Sequence, residues 1–250
     1  MKIIEFGQEG RETVLLLHGG GLSWWNYREA AALLEEEYHV LLPVLDGHAG
    51  SGRPFTSIED SAEEIIGWIG ERLGGRADLI GGLSLGGQIL LEILSRRGDI
   101  CRAAIVESAM AIPSRLTHAL IGPAFGGSWG LIRNRRFAEI QFRSLHMKPE
   151  LFEDYYRDTC GIEKADMIAF MKASTAYALK PGIGGCAAAV HLYAGGRENP
   201  GIRRSAALVK ARLPAASLTI LPGYRHGEFS INHAPEYAAA VRAALKRTDP

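Results

Sequence analysis

The stretch "ADLIGGLSLGGQILLEILSRR" (77–97) constrains this chain more than any other. A short apolar run reaches a serine flanked by glycines, and an apolar helix-like run begins at once on the other side. No room is left for a loop, so the spacing predicts a strand, a tight corner at Ser84 and a helix. Such a corner needs a backbone conformation that bulky neighbours would obstruct, which is the use of Gly82 and Gly86. It would lift the Ser84 hydroxyl to the carboxyl edge of a sheet, beside a helix N-terminus that favours negative charge.

The same five-residue spacing recurs at Gly126–Gly127–Ser128–Trp129–Gly130. With 30 glycines in 250 residues a second match is unremarkable, so context has to separate the two. Ser128 has Pro123 upstream and no strand before it, and is expected in a loop. Ser84 is therefore the candidate nucleophile.

Short apolar runs alternate with helix-like segments along the rest of the chain, the rhythm of a mostly parallel sheet covered on both faces. "KIIEF" (2–6), "TVLLLHG" (13–19) and "HVLLPVLD" (39–46) read as strands, with Pro43 marking an edge or a strand end in the last. "YREAAALLEEEY" (27–38) has helical spacing, and Ser57 with Asp60 predicts a capped helix running to about Leu73. "RAAIVES" (102–108) is strand-like. From Ala109 to Gly185 the rhythm gives way to consecutive helical segments: "PSRLTHALIG", "WGLIRNRRFAEIQFRSL", "PELFEDYYRDT" and "KADMIAFMKASTAYAL". "VHLYAGG" returns as a strand, followed by helix, strand and a last helix at about 234–247. The expected architecture is α/β, a doubly wound and mostly parallel sheet formed by residues 1–108 and 186–250. Residues 109–185 form a helical insertion.

Composition excludes several functions. The 28 basic and 28 acidic residues cancel, so no overall field favours nucleic acid or an anionic membrane. The start, "MKIIEFGQEG", lacks a signal-peptide pattern, and no apolar stretch approaches the roughly 20 residues that cross a bilayer. A soluble cytoplasmic protein is expected. The three cysteines, Cys101, Cys160 and Cys186, form no zinc pattern and are expected to be reduced.

Taken in order and spacing, "LLLHGGG" (15–21), "PVLDGHAGSG" (43–52), "GGLSLGG" (81–87) and "LPGYRHGEF" (221–229) resemble the α/β-hydrolase superfamily over essentially the whole chain. The resemblance implies the α/β-hydrolase fold, with the insertion as a helical cap over the active site. It also implies an order of nucleophile, acid and histidine. Of eight histidines only His226 follows the last predicted strand, in a loop before the final helix, where the family keeps its base. The oxyanion donors would be the N–H of Leu85, which follows the nucleophile, and by resemblance that of Gly20. His18 would brace that loop.

The family's acid is an Asp in a Gly-x-x-Asp turn after the strand represented by "VHLYAGG". Here "AGGREN" (194–199) offers Glu198 counted from Gly195, or Asn199 counted from Gly196. An ionised carboxylate supports an imidazolium better than an amide does, which favours Glu198. Glu107, after the preceding strand, is the alternative, because some cap-bearing relatives carry their acid there. Glu228 is expected to stabilise its loop.

Trp24 and Trp25 directly follow the oxyanion loop and His48 lies in the loop "DGHAGSG"; all three are candidates for the substrate pocket. "RNRR" (133–136) would either meet an anionic substrate or form a solvated helix face. No metal is expected, since His226 and His233 have no ligand pattern around them, and no cofactor. The expected function is hydrolysis of a small to medium carboxylic ester or thioester through an acyl-enzyme. C–C bond hydrolysis or a related lyase reaction on the same fold is an alternative. A small-molecule sensor that keeps the pocket without turnover is another. The expected partner is a small-molecule substrate, with no nucleic acid or membrane; the oligomeric state is open.

Overall fold

A computed structural model describes residues 1–246 and, for residues 126–128, the backbone alone. Seven strands form one sheet in the order β1-β3-β2-β4-β5-β6-β7. They are β1 (Lys2–Phe6), β2 (Thr13–Leu17), β3 (His39–Val44), β4 (Ala77–Leu83), β5 (Cys101–Glu107), β6 (Ala189–Gly195) and β7 (Ser217–Leu221). Only β1 runs antiparallel, against β3 with Ile3 opposite Pro43; the other pairs are parallel. Pro43 lies beyond Leu41, where the β2–β3 register ends, so its missing N–H costs that ladder nothing.

The near-continuous apolar runs follow from burial on two faces. Along β2, Leu15 and Leu17 enter one core with α2 (Ile58–Arg72) and α3 (Leu85–Arg96). Val14 and Leu16 enter the other, with α1 (Arg28–Leu34) and α10 (Ala234–Lys246). All four are fully buried. Alternation of side chains along a strand thus feeds two layers at once. Ser57 caps α2 as expected, its side chain accepting from the Asp60 amide at 3.0 Å.

After β2 the chain turns to β3 on one side, and after β3 it crosses to β4 on the other. Strand order therefore reverses between β2 and β4, and a crevice opens at their carboxyl ends, where ligands of such sheets bind. The loop after β2 carries Gly20 and the corner after β4 carries Ser84.

Between β5 and β6 lie α4 (Arg115–Ile132), α5 (Arg135–Ser144), α6 (Phe152–Gly161) and α7 (Lys164–Ala176). Here one expectation needs correction. α4 runs unbroken through Pro123, so the backbone of Ser128 is helical rather than in a loop. The break comes instead at Asn134, whose side chain accepts from the Phe137 amide and opens α5. Side-chain capping set that boundary, while packing of α4 against α7 held the Pro–Gly stretch in a helix.

The helical segment is tied to the sheet by buried polar contacts. Asp158 of α6 accepts from the Trp25 indole at 2.8 Å, and Asp166 of α7 accepts from the Phe55 amide at 2.8 Å. Gln88 of α3 donates to the carbonyls of Met110 and Ser174. After β6 come α8 (Pro200–Arg212) and, beyond β7, the short α9 (Glu228–Asn232). No helix among the described residues is long and apolar enough to cross a membrane.

Candidate active site

Ser84 sits at φ 53°, ψ −111°, a conformation that non-glycine residues rarely adopt. It is held there from both sides. Its amide donates to the Glu107 carbonyl at 2.9 Å, and its carbonyl accepts from the Gln88 amide at 2.9 Å. The flanking glycines are sterically required: a Cβ on Gly82 would lie 2.4 Å from the Gly86 carbonyl oxygen, and one on Gly86 only 2.1 Å from that of Leu17.

The loop between β7 and α9 brings His226 to this serine, with Nε2 3.0 Å from Ser84 Oγ. On the far side of the ring, Nδ1 faces Glu198 Oε2 at 3.4 Å. The imidazole is half exposed, while the Glu198 side chain is fully buried. Glu198 Oε1 accepts from the Ser108 hydroxyl at 2.6 Å and from the Gly195 amide at 2.8 Å. Burial opposes its ionisation, but the bonds and charge it receives from His226, Ser108 and Gly195 outweigh that, so its carboxyl titrates below the ordinary glutamate value.

This geometry separates the candidate acids. Asn199 faces its own helix, accepting from the Gly201 amide to cap α8 ahead of Pro200. Glu107 is fully buried, and its Oε1 accepts from the Ser230 amide at 3.3 Å. Its Oε2 has no partner among the described residues. Burial therefore raises its pKa to about 7, with the nearby Glu198 charge pushing the same way. Glu198, not Glu107, stands against His226. Glu228 holds its loop as expected, accepting from the Arg225 amide at 2.8 Å.

Opposite the histidine, Leu85 opens α3, and its N–H has no partner within the helix. Gly20 packs against it: a Cβ on Gly20 would be 3.5 Å from Leu85 Cβ. Among the described residues the Gly20 amide makes no hydrogen bond. Behind this pair, His48 Nε2 accepts from the Gly21 amide at 3.0 Å and Nδ1–H donates to the Asp46 carbonyl at 2.9 Å. His18 Nε2 accepts from the Leu45 amide at 3.1 Å and its Nδ1–H donates to the Gly19 carbonyl. Burial lowers both imidazoles, that of His48 to about 4, which keeps them neutral.

A cavity of about 460 Å³ opens over Ser84. Its walls include Phe125, Ile132, Met147, Tyr155, Met167 and Met171, all from the segment between β5 and β6. Three pocket expectations are corrected here. Trp25 is buried in the core, where Asp158 claims its N–H. Trp24 packs against Phe6 beneath the Arg28 guanidinium. His48 is spent on bracing the Gly21 loop and stacks on Phe170, 4.5 Å between ring centres. None of the three lines the cavity.

The "RNRR" stretch is likewise outside it: Arg133, Arg135 and Arg136 are solvent-exposed, and Arg135 pairs with Glu153 and lies over the Phe152 ring. Among the described residues the arginines and lysines that do line the cavity are Arg197 and Arg225, neighbours in sequence of Glu198 and His226. Sequence reasoning missed both, though each lies one residue from a candidate it had singled out. Among the described residues no group of three or more His, Cys, Asp or Glu side chains gathers around a metal position.

Comparison with known proteins gives the family and the fold. The profile of the alpha/beta hydrolase family matches residues 14–241. An AB hydrolase superfamily protein of Gibberella zeae is 33% identical over 144 residues, 53% of this chain and 47% of that protein. A thermostable monoacylglycerol lipase of Bacillus sp. is 31% identical over 115 residues, 44% of this chain and 45% of the lipase. The matched stretch thus spans less than half the length of either relative. Among solved structures, a thermophilic esterase from Thermogutta terrifontis superposes with a TM-score of 0.80 at 16% identity, covering 100% of this chain and 94% of the esterase. An enol-lactonase from Burkholderia xenovorans gives 0.81 at 16% identity, over 98% and 96%. The likeness to these two structures is one of fold. With the family profile spanning nearly all of it, the chain belongs to the alpha/beta hydrolase family.

Proposed function

We propose that this protein is a serine hydrolase that cleaves a small to medium carboxylic ester or thioester through an acyl-enzyme. The observation that carries the reading is the linear relay of Ser84 Oγ, His226 and buried Glu198, with 3.0 Å and 3.4 Å between successive partners. His226 takes the Ser84 proton as the hydroxyl attacks the carbonyl carbon, and Glu198 stabilises the imidazolium that forms. The carbonyl oxygen, now an oxyanion, is held by the N–H groups of Gly20 and Leu85. His226 then protonates the leaving oxygen or sulfur, the C–O or C–S bond breaks, and the acyl group stays on Ser84. Water, deprotonated by His226, repeats the attack and releases the acid.

The positive φ at Ser84 supports the role, because strain of this kind concentrates where a side chain must be presented for chemistry. The cavity volume of about 460 Å³ suits a small molecule with a short to medium acyl chain. An ester substrate is also what the names of the lipase and esterase relatives suggest.

The test is a series of 4-nitrophenyl esters of increasing acyl length, with Ser84→Ala as the control. A kcat/KM optimum at short to medium chains is expected, and Ser84→Ala should lose at least about a thousandfold in kcat. Turnover surviving in Ser84→Ala would contradict the reading.

A further inference from the structure

We infer that the preferred substrate carries an oxyanionic group, a carboxylate or phosphate, on its leaving-group side, and that Arg197 and Arg225 bind it. The inference rests on the roles proposed for Ser84 and His226 and specifies what they act on.

Two turns packed on one another bring Arg197 and Arg225 to the cavity. The Arg197 amide donates to the Tyr224 carbonyl at 2.9 Å, and the Gly196 amide donates to the Leu221 carbonyl at 2.8 Å. The approach is so close that a Cβ on Gly195 would lie 2.3 Å from the Tyr224 carbonyl oxygen. Arg197, just before Glu198, and Arg225, just before His226, both line the cavity.

Their charges are largely uncompensated. Among the described residues the Arg197 guanidinium has no hydrogen-bond or ionic partner. Among them, too, the Arg225 guanidinium has only Glu228, at 3.9 Å. Among the described residues the one carboxylate lining the cavity is Glu198, already taken up by His226, Ser108 and Gly195. Arg53, by contrast, pairs with Asp60 and Glu64. Two cations left open beside a mainly apolar cavity form a receptor for an anion, which an arginine fork binds with charge-assisted bonds.

The chemistry fixes which end of the substrate is charged. Gly20 and Leu85 take the carbonyl oxygen, and the leaving atom must lie within reach of His226 Nε2, which protonates it. Both arginines sit on the turns that carry Glu198 and His226, the side from which the leaving atom is protonated. The acyl part is left with Met167, Met171, Phe125 and Ile132. In the reaction the acyl–oxygen bond breaks, the proton from His226 goes to the leaving oxygen, and the anionic group is unchanged throughout.

The experiment compares the hexanoyl esters of 4-hydroxybenzoate, of its neutral methyl ester and of 4-hydroxyphenyl phosphate. An acyl-side control sets 4-nitrophenyl hydrogen adipate against 4-nitrophenyl hexanoate. The ratio of kcat/KM for an anionic ester over the neutral one, taken on one protein sample, cancels general effects on folding or on the serine. The wild type should prefer at least one leaving-group anion by about tenfold or more, and Arg197→Gln or Arg225→Gln should each reduce that ratio by about tenfold. Arg197→Lys should restore part of it, and added salt should weaken it, since both side chains are at the rim. A larger ratio for the phosphate identifies a phosphorylated alcohol, and a larger one for the benzoate a hydroxy acid.

A wild type that hydrolyses the neutral ester as fast as both anionic ones overturns the inference and leaves the hydrolase reading standing. So does a preference that both glutamine variants keep, or one found only for the adipate. Failure to hydrolyse any ester overturns both.

Discussion

The Ser108 hydroxyl donates to Glu198 Oε1 at 2.6 Å from a backbone held at φ 56°. Ser108 follows β5 directly, and its amide donates to the Tyr193 carbonyl of β6 at 3.0 Å, so two neighbouring strands fix the carboxylate that faces His226. Ser108→Ala should lower kcat by about tenfold, the usual cost of losing a hydrogen bond to a charged group. It should also move the acid limb of the kcat/KM profile to higher pH, because Glu198 loses a donor that favours its ionised form. A drop in activity with no movement of that limb would make Ser108 a packing residue only.

Glu198 and Glu107 should separate cleanly in paired kinetics. Glu198→Gln should cost between about a hundredfold and ten-thousandfold in kcat, as expected when the carboxylate that orients a catalytic imidazole becomes an amide. Glu107→Gln should cost far less, since Glu107 touches Ser230 rather than His226. Equal losses from the two variants would contradict this assignment.

The same pair gives a stability signature. Burial raises Glu107 from 4.5 to about 7, so between those pH values the folded chain keeps a proton that the unfolded chain has released. Stability attributable to Glu107 is then full below pH 4.5, falls as pH rises toward 7, and levels off above it. Denaturant titrations at a series of pH values should show the difference between wild type and Glu107→Gln shifting in favour of the variant across that window. A constant difference would mean Glu107 is ionised in the fold.

Much of this site could be read in the sequence because its determinants are local. The corner at Ser84 announces itself through Gly82 and Gly86, whose Cβ atoms would strike backbone at 2.4 and 2.1 Å. His226 is marked by its place after the last strand, and Glu198 by its count from Gly195. What escaped depends on distant parts of the chain. Trp25 resembled a pocket wall, but Asp158 claims it from 133 residues away. Arg197 and Arg225 come to the same cavity because two turns pack together. The break in the helical segment fell at Asn134 because a side-chain cap and packing on α7 outweighed the signals at Pro123 and the glycines near it.

His48 should act through the oxyanion loop. It accepts from the Gly21 amide at 3.0 Å, next to Gly20, the proposed oxyanion donor. His48→Ala should lower kcat by about tenfold with little change in KM, a loosened donor costing less than the hundredfold or more of a deleted one. A change confined to KM would instead make His48 a binding residue.

Gly86→Ala should be among the most damaging single substitutions, because its new Cβ meets the Leu17 carbonyl rather than a movable side chain. A loss on the order of 3 kcal/mol, or about 10 °C in Tm for a chain of this length, is expected from thermal unfolding. A variant that melts with the wild type would show that the corner is less tightly closed than described.

The most direct test is whether Ser84 is an activated nucleophile. Protein incubated with a fluorophosphonate probe should gain one adduct by intact mass, mapped to the peptide carrying Ser84. The adduct should be absent from Ser84→Ala and much slower to form in a His226→Ala variant. Labelling that persists in Ser84→Ala, or a folded wild type that takes up no probe, would contradict the account.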